Sequence, residues 1–127
     1  MTRFGKIAAT LALAVAVGAI SVPALAHHSF AMFDQTRIAQ KPKVTVAEFR
    51  FTNPHSFVVV NVQEGSLVTR YVFECSSVNM MSRAGWKFNT LKAGDKVDVA
   101  FYPLRNGKPG GMLKTIKVAD GRTLSAW

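Results

Sequence analysis

The chain has 127 residues, and its 16 lysines and arginines outnumber its 7 aspartates and glutamates, which gives a formal net charge of +9 at pH 7. A chain of this length corresponds to one small domain. The single cysteine, Cys75, excludes an intramolecular disulfide, so a folded domain must rely on its apolar core for stability.

The first 26 residues have the three-part layout of a secretory signal peptide. Arg3 and Lys6 precede an apolar run over residues 7–20, and an A-x-A pattern ends at Ala26. We expect cleavage after Ala26 and export to the periplasm of a chain with a net charge near +7, because two of the 16 basic residues are lost. An uncleaved anchor is the less favoured alternative, since the apolar run is shorter than the about 20 residues of a membrane span.

Two apolar segments with a turn between them predict a β-hairpin over residues 44–62. The first strand, residues 44–51, alternates apolar with polar residues at the period of two that is typical of a half-buried strand. The second strand covers residues 57–63 and is rich in valine. Between them, Thr52-Asn53-Pro54-His55 is a turn, because proline and asparagine interrupt a strand and suit turn geometry.

The rest of the chain predicts three more strands and one short helix. Residues 67–75 form the third strand, in which Arg70 and Glu74 share one face and point to water. Ser76 and Ser77 can cap a helix over residues 78–83, and Gly85 is a plausible left-handed stop. The fourth and fifth strands are predicted at residues 96–102 and 112–119, separated by a Gly/Pro-rich loop that carries Arg105 and Lys108.

This order of elements predicts a mainly β domain: a small five-stranded OB-like barrel with one short helix between strands three and four. We assign residues 1–26 to the signal peptide, 27–43 to an N-terminal extension and 44–127 to the barrel. Pro42 argues against a central strand before residue 44. Many such barrels bind ligands between the loop joining strands one and two and the loop joining strands four and five.

Several short motifs resemble a family of small exported bacterial proteins known only as a domain of unknown function. The matching segments are residues 26–30 (Ala-His-His-Ser-Phe), 33–34 (Phe-Asp), 51–55 (Phe-Thr-Asn-Pro-His), 82–86, 91–97, 103–107 and 120–122. The resemblance covers essentially the whole mature chain and implies a periplasmic β-barrel-like domain without implying an activity. Lys41-Pro42-Lys43 departs from the more regular apolar segment that the resemblance leads us to expect before the first strand.

The three histidines, His27, His28 and His55, suggest a metal site. After cleavage His27 offers both its α-amine, with an ordinary pKa near 7.7–8.0, and its imidazole. One more imidazole completes a three-nitrogen site of the histidine-brace kind, which suits Cu(II) better than zinc. Asp34 is a possible additional ligand. Cys75 is interpreted as a small buried residue in preference to a thiolate ligand. The alternative for the histidines is a flexible terminus and a hydrogen-bonded turn residue.

Two non-catalytic alternatives remain open. A basic exported protein can bind an anionic envelope component through Asn53, Arg105 and Lys108, or its charge can serve solubility alone. It can instead dock a partner protein through exposed Phe57 or Tyr71. We expect no enzyme, because the sequence has no nucleophile–base arrangement, paired carboxylates or phosphate-binding loop. We also expect no nucleic-acid partner, and no membrane span after signal removal.

Overall fold

The structure contains the five predicted strands, the predicted α-helix and one additional strand. The computed structural model describes residues 30–127. After a 3₁₀ turn at Phe30–Met32, the elements are β1 (Ala39–Arg50), β2 (Phe57–Glu64), β3 (Leu67–Glu74), α1 (Val78–Arg83), β4 (Lys96–Pro103), β5 (Gly110–Lys117) and β6 (Thr123–Ser125). The predicted hairpin is confirmed: β1 and β2 are antiparallel, and Arg50 lies opposite Phe57.

The strands close into a barrel in the order β3-β2-β1-β4-β5, and β5 returns to pair with β3. That closing contact is parallel and short, with Val72 opposite Gly110 and Glu74 opposite Met112. The other pairings are antiparallel. The five-stranded OB-like barrel with its helix between strands three and four is therefore confirmed. β6 is an additional strand that pairs with β5.

The start of β1 differs from the prediction. β1 begins at Ala39, five residues before the predicted barrel boundary at Val44, and it lies between β2 and β4. Within the described chain, residues 39–43 pair with β4 alone, because the pairing with β2 begins only at Thr45, so Pro42 lies in an edge part of β1 and the expectation that it is not in a central strand holds. The pairing with β4 shifts register between Lys41 and Val44. Such an irregularity takes proline out of the ladder, so its missing N–H leaves no gap in the hydrogen bonds.

The barrel interior is filled by side chains from every main strand. Val58 and Val60 of β2, Phe73 of β3, and Leu113 and Ile116 of β5 are fully buried. Each buried aliphatic or aromatic side chain of this size contributes roughly 1.5–3 kcal/mol. The interior is consequently a packed core.

The segment around α1 covers one end of the barrel. Ser77 accepts a hydrogen bond from the backbone N–H of Met80 at 3.3 Å, and Gly85 adopts φ +95°, so the predicted cap and left-handed stop are both confirmed. Trp86, which is 1% exposed, packs against Phe49 with ring centroids 5.6 Å apart. Its Nε1 donates to the backbone carbonyl of Ser125 at 2.7 Å, which fixes β6 against this end.

Three predictions fall on residues outside the described range. They are the signal peptide, its cleavage after Ala26, and the metal-binding roles of His27 and His28. Within residues 30–127, no helix has both the length and the apolar character to cross a membrane.

Candidate functional site

The Asn-Pro-His loop between β1 and β2 is held by its own hydrogen bonds. The Thr52 hydroxyl donates to the carbonyl of His55 at 3.0 Å. The Ser56 hydroxyl donates to the carbonyl of Thr52 at 3.1 Å and accepts from the Thr52 N–H at 3.2 Å. Ser56 is fully buried, and its backbone pairs with Cys75 and Ser76. The backbone that carries His55 is therefore fixed on both sides.

Asn53 connects the loop to the helix. Its Oδ1 accepts the backbone N–H of Val78, the first residue of α1, at 3.0 Å. This bond satisfies one of the donors that a helix start leaves without an intrahelical partner. Asn53 also lines the space beside His55. Its observed bond is structural, and its predicted role in ligand binding stays a prediction.

His55 lies against Glu74, a residue that the sequence pattern placed in water. The distance between His55 Nδ1 and Glu74 Oε1 is 2.6 Å, and the two side chains are 24% and 12% exposed. The expectation that Glu74 points to water is wrong. This contact is an ion pair only when the imidazole is protonated. A carboxylate here favours the proton on Nδ1, which puts the lone pair of the neutral ring on Nε2.

An aromatic chain connects His55 to the beginning of the described residues. The His55 ring meets the Trp127 ring edge-on, with centroids 5.7 Å apart. Trp127 in turn meets the Phe30 ring at 5.2 Å, again edge-on. Phe30 follows His28 by two positions in the sequence. The C-terminal residue therefore packs between the loop histidine and the segment that leads back to the predicted mature terminus.

Arg105 holds that N-terminal segment to the loop between β4 and β5. Its Nε donates to the carbonyl of Ala31 at 2.9 Å, and its backbone N–H donates to the carbonyl of Met32 at 3.0 Å. Phe33, which is 3% exposed, pairs with Leu104 in an isolated bridge. The guanidinium was predicted to bind a ligand. In the structure it fixes the chain just before β1.

Two adjoining spaces lie beside this arrangement. The first, called the turn pocket below, has a volume of about 280 Å³ and is lined by Thr52, Asn53, Pro54, His55, Phe57 and Glu74. The second, of about 170 Å³, shares Phe57 and Glu74 with it and continues along Phe33 and Leu104. The predicted docking residues Phe57 and Tyr71 are half-buried rather than exposed.

Lys108 does not join Arg105 in one site. It lines a separate cleft with Arg37, Lys41 and Tyr71 on its walls. The structure thus brings His55 and Asn53 together around the turn pocket, attaches Arg105 to the N-terminal segment, and leaves Lys108 elsewhere. The residue that sequence reasoning missed at the turn pocket is Glu74.

Residues 30–127 alone do not form a metal site, because they contain no group of three or more His, Cys, Asp or Glu side chains placed to hold an ion. Cys75 is fully buried, and burial raises the pKa of its thiol well above the ordinary value, which agrees with its interpretation as a core residue. The Asp34 carboxylate accepts hydrogen bonds from Thr36, chiefly its hydroxyl, and these hold its pKa below the ordinary value.

Comparison with known proteins gives a family without an activity. A model described as a family of unknown function (DUF6152) matches residues 14–114, most of the chain. No curated protein matches, and no solved structure matches.

Proposed function

The chain belongs to the DUF6152 family of unknown function, and we propose from its own residues that it is an exported, non-catalytic periplasmic protein that binds a metal ion. The ligands are the α-amine and imidazole of His27 after signal removal and the imidazole of His55, with His28 beside them. Copper is favoured over zinc. The periplasmic location and the cleavage after Ala26 are parts of this proposal.

The observation that carries the proposal is the chain of rings from Phe30 through Trp127 to His55. Its two centroid distances are 5.2 Å and 5.7 Å. Three residues of extended chain reach about 10 Å, and three positions separate His27 from Phe30. The proposal requires this segment to turn back along the rings toward His55, over a separation comparable to its extended length.

The chemistry around His55 supports ligation through Nε2. Histidines that ligate metals generally present their second ring nitrogen to a carboxylate, a carbonyl or water, which fixes the ring and raises its basicity. Glu74 stands in that position beside Nδ1. Glu74 thereby serves as an orienting group and the three ligands remain nitrogen atoms, a donor set that favours Cu(II). The carboxylate also favours a cation over an anion in the turn pocket.

The rigidity of the loop supports a preformed half-site. Thr52 and Ser56 fix the backbone on either side of His55. Glu74 fixes the ring from β3. A site held this way needs only the terminus to close over it, and it forms only after export and cleavage. The cytoplasmic precursor would then lack the α-amine ligand.

Cu(II) titration of the processed protein, followed by electron paramagnetic resonance, tests the proposal. We expect one tight site with a nitrogen-dominated spectrum. His55→Ala and an added alanine before His27 should each weaken binding by more than the about 10–100-fold that loss of an orienting group costs. The protein with the added alanine is the matched control for the imidazoles, because it keeps those of His27, His28 and His55. Unchanged affinity in both proteins would refute the shared site, and competition with Zn(II) decides the choice of metal.

A further inference from the structure

Besides the turn pocket and the space adjoining it, a further ligand-sized space lies at the side of the barrel where closure is incomplete. It has a volume of about 380 Å³, and Arg37, Lys41 and Lys108 stand around it. Tyr71 and Phe101 form part of its wall, and none of the residues that line it is acidic. This space is called the basic cleft below. Small-molecule sites typically have volumes of about 300–1,000 Å³, so the basic cleft is large enough for one small ligand.

The cleft exists because β3 meets β5 along only part of its length. The parallel pairing begins at Val72 and Gly110, whereas in the described chain the preceding part of β3, residues 67–71, pairs with β2 alone. Gly110 has φ +136°, and a side chain there would strike the Val72 carbonyl. This close approach at Gly110 leaves a gap beside it, in which Tyr71 is half-buried and meets Phe101 edge-on at 6.1 Å.

The cations around the cleft have weak partners or none. Arg37 pairs with Asp34 at 3.2 Å, and Lys41 pairs with Glu64 at 2.6 Å, while both acids lie outside the cleft lining. Exposed ion pairs of this kind contribute about 0–1 kcal/mol, so a ligand can replace them at little cost. Lys108 makes no ion pair within residues 30–127. Its ammonium charge therefore lacks a protein carboxylate to balance it.

From this arrangement we infer that the basic cleft is a binding site for a small ligand that carries a phosphate or carboxylate group next to a ring. The anionic group contacts Lys108, Lys41 and Arg37, and the ring contacts Tyr71, over which the Lys41 ammonium lies in the free protein, 5.8 Å from the ring centroid. The site is separate from the turn pocket, which contains Glu74 and favours cations. It does not require the proposed metal site, so either can fail without the other.

Amide chemical shifts of the processed protein test this inference. Glucose 6-phosphate and glucuronate are the probes, glucose is the neutral control, and inorganic phosphate separates the charge from the ring. We expect both anionic sugars to shift the amides of Tyr71, Gly107, Lys108 and Gly110, inorganic phosphate to bind more weakly, and glucose to cause no shift. Shifts spread evenly over the basic surface would overturn the inference.

Two charge reversals distinguish the cleft from general basicity. Lys108→Glu should weaken binding of glucose 6-phosphate by about tenfold or more, the effect of one charge-assisted hydrogen bond. Lys87→Glu is the matched control, because Lys87 is an exposed loop lysine that lines none of these spaces. The Lys87→Glu protein should keep its affinity for glucose 6-phosphate within about twofold, because salt screens the charge of a distant residue. Equal losses in the two variants, both folded by circular dichroism, would refute a specific site.

The source of the anionic group is decided by a vesicle experiment. If phosphatidylinositol vesicles sediment the protein, and Lys108→Glu abolishes this while Lys87→Glu does not, the anionic group belongs to a lipid headgroup. If the soluble sugars bind and the vesicles do not, it belongs to a soluble ligand. Vesicle binding that is equally reduced in both variants, without any binding of the soluble anions, would contradict the inference.

Discussion

In the turn pocket the polar side chains are bonded to the protein, whereas the cations of the basic cleft have partly exposed ion pairs or none in the described chain. Thr52 and Asn53 each bond backbone groups, and His55 contacts Glu74. In the cleft, Lys108 has no ion-pair partner in the described chain, and the pair between Lys41 and Glu64 is partly exposed. The first region is suited to hold one ligand atom in a fixed geometry, and the second to adapt to an anion. The same small barrel thus offers sites of opposite charge preference.

The largest expected effect comes from breaking the wall of the basic cleft. Gly110→Ala should lower the free energy of unfolding by roughly 3–5 kcal/mol, because the new methyl group strikes the Val72 carbonyl where β3 meets β5. Gly107→Ala is the control in the adjoining loop, since its φ is +76° but nothing lies within 4 Å of an added Cβ. It should cost about 1–2 kcal/mol. Urea unfolding measures both, and equal losses would contradict the close approach.

The next effect separates the two regions by ligand. Glu74→Gln should weaken Cu(II) binding by roughly 10–100-fold, because the amide orients His55 less well than the carboxylate does, and it should leave anion binding in the basic cleft unchanged. Glu64→Gln is the same substitution at the rim of the cleft, where it frees Lys41. It should leave Cu(II) affinity unchanged. Isothermal titration measures the affinities, and a similar loss of Cu(II) affinity in both variants would deny Glu74 a specific role.

A third test concerns the rigidity of the loop. Ser56→Ala removes a buried hydroxyl that bonds both the N–H and the carbonyl of Thr52, so we expect a loss of about 1–3 kcal/mol in unfolding free energy. Ser66→Ala, in an exposed turn, should change stability by no more than about 0.5 kcal/mol. Thermal denaturation of both proteins measures the difference. Unchanged stability of the Ser56→Ala protein would mean that these hydrogen bonds do not fix the loop.

The smallest expected effect comes from removing the ion pair between Lys41 and Glu64 beside the basic cleft. The carboxylate of Glu64 raises the pKa of Lys41 above 10.5 in the folded state. A raised lysine pKa adds stability that is fully present below the unfolded-state value and is lost as the pH rises through the folded-state value. Wild type should therefore exceed Glu64→Gln by at most about 1 kcal/mol at neutral pH. Denaturant titrations at neutral and strongly alkaline pH should show this difference disappearing, and a difference that persists would contradict the assignment.

Much of the fold could be predicted because turn residues separate strands of regular alternation. The hairpin around Asn53 and Pro54, the helix after Ser77, and the strands before and after the Gly/Pro-rich loop all follow from local sequence. Two features, β6 and the first residues of β1, do not follow from local sequence. β6 has three residues and is too short to display a period. Residues 39–43 belong to β1 through a register shift that local sequence does not reveal.

The candidate site was less predictable because its partners come from distant strands. His55 was identified by its place in a turn, but Glu74 was assigned to solvent by its spacing from Arg70. Counting the β2–β3 ladder from Glu64 opposite Leu67 puts Phe57 opposite Glu74, two positions from His55, and this signal could have found it. No such count brings Arg37 and Lys41 to Lys108, because their grouping depends on how the barrel closes.

The most direct test of the central claim is mass spectrometry, under non-denaturing conditions, of the protein purified from the periplasm of a bacterial host. The account predicts a chain that begins at His27 and carries one copper ion, and a His55→Ala chain of the same length without it. A chain that begins at another residue, or one that stays metal-free in excess Cu(II), would contradict a site shared between the mature terminus and the Asn-Pro-His loop.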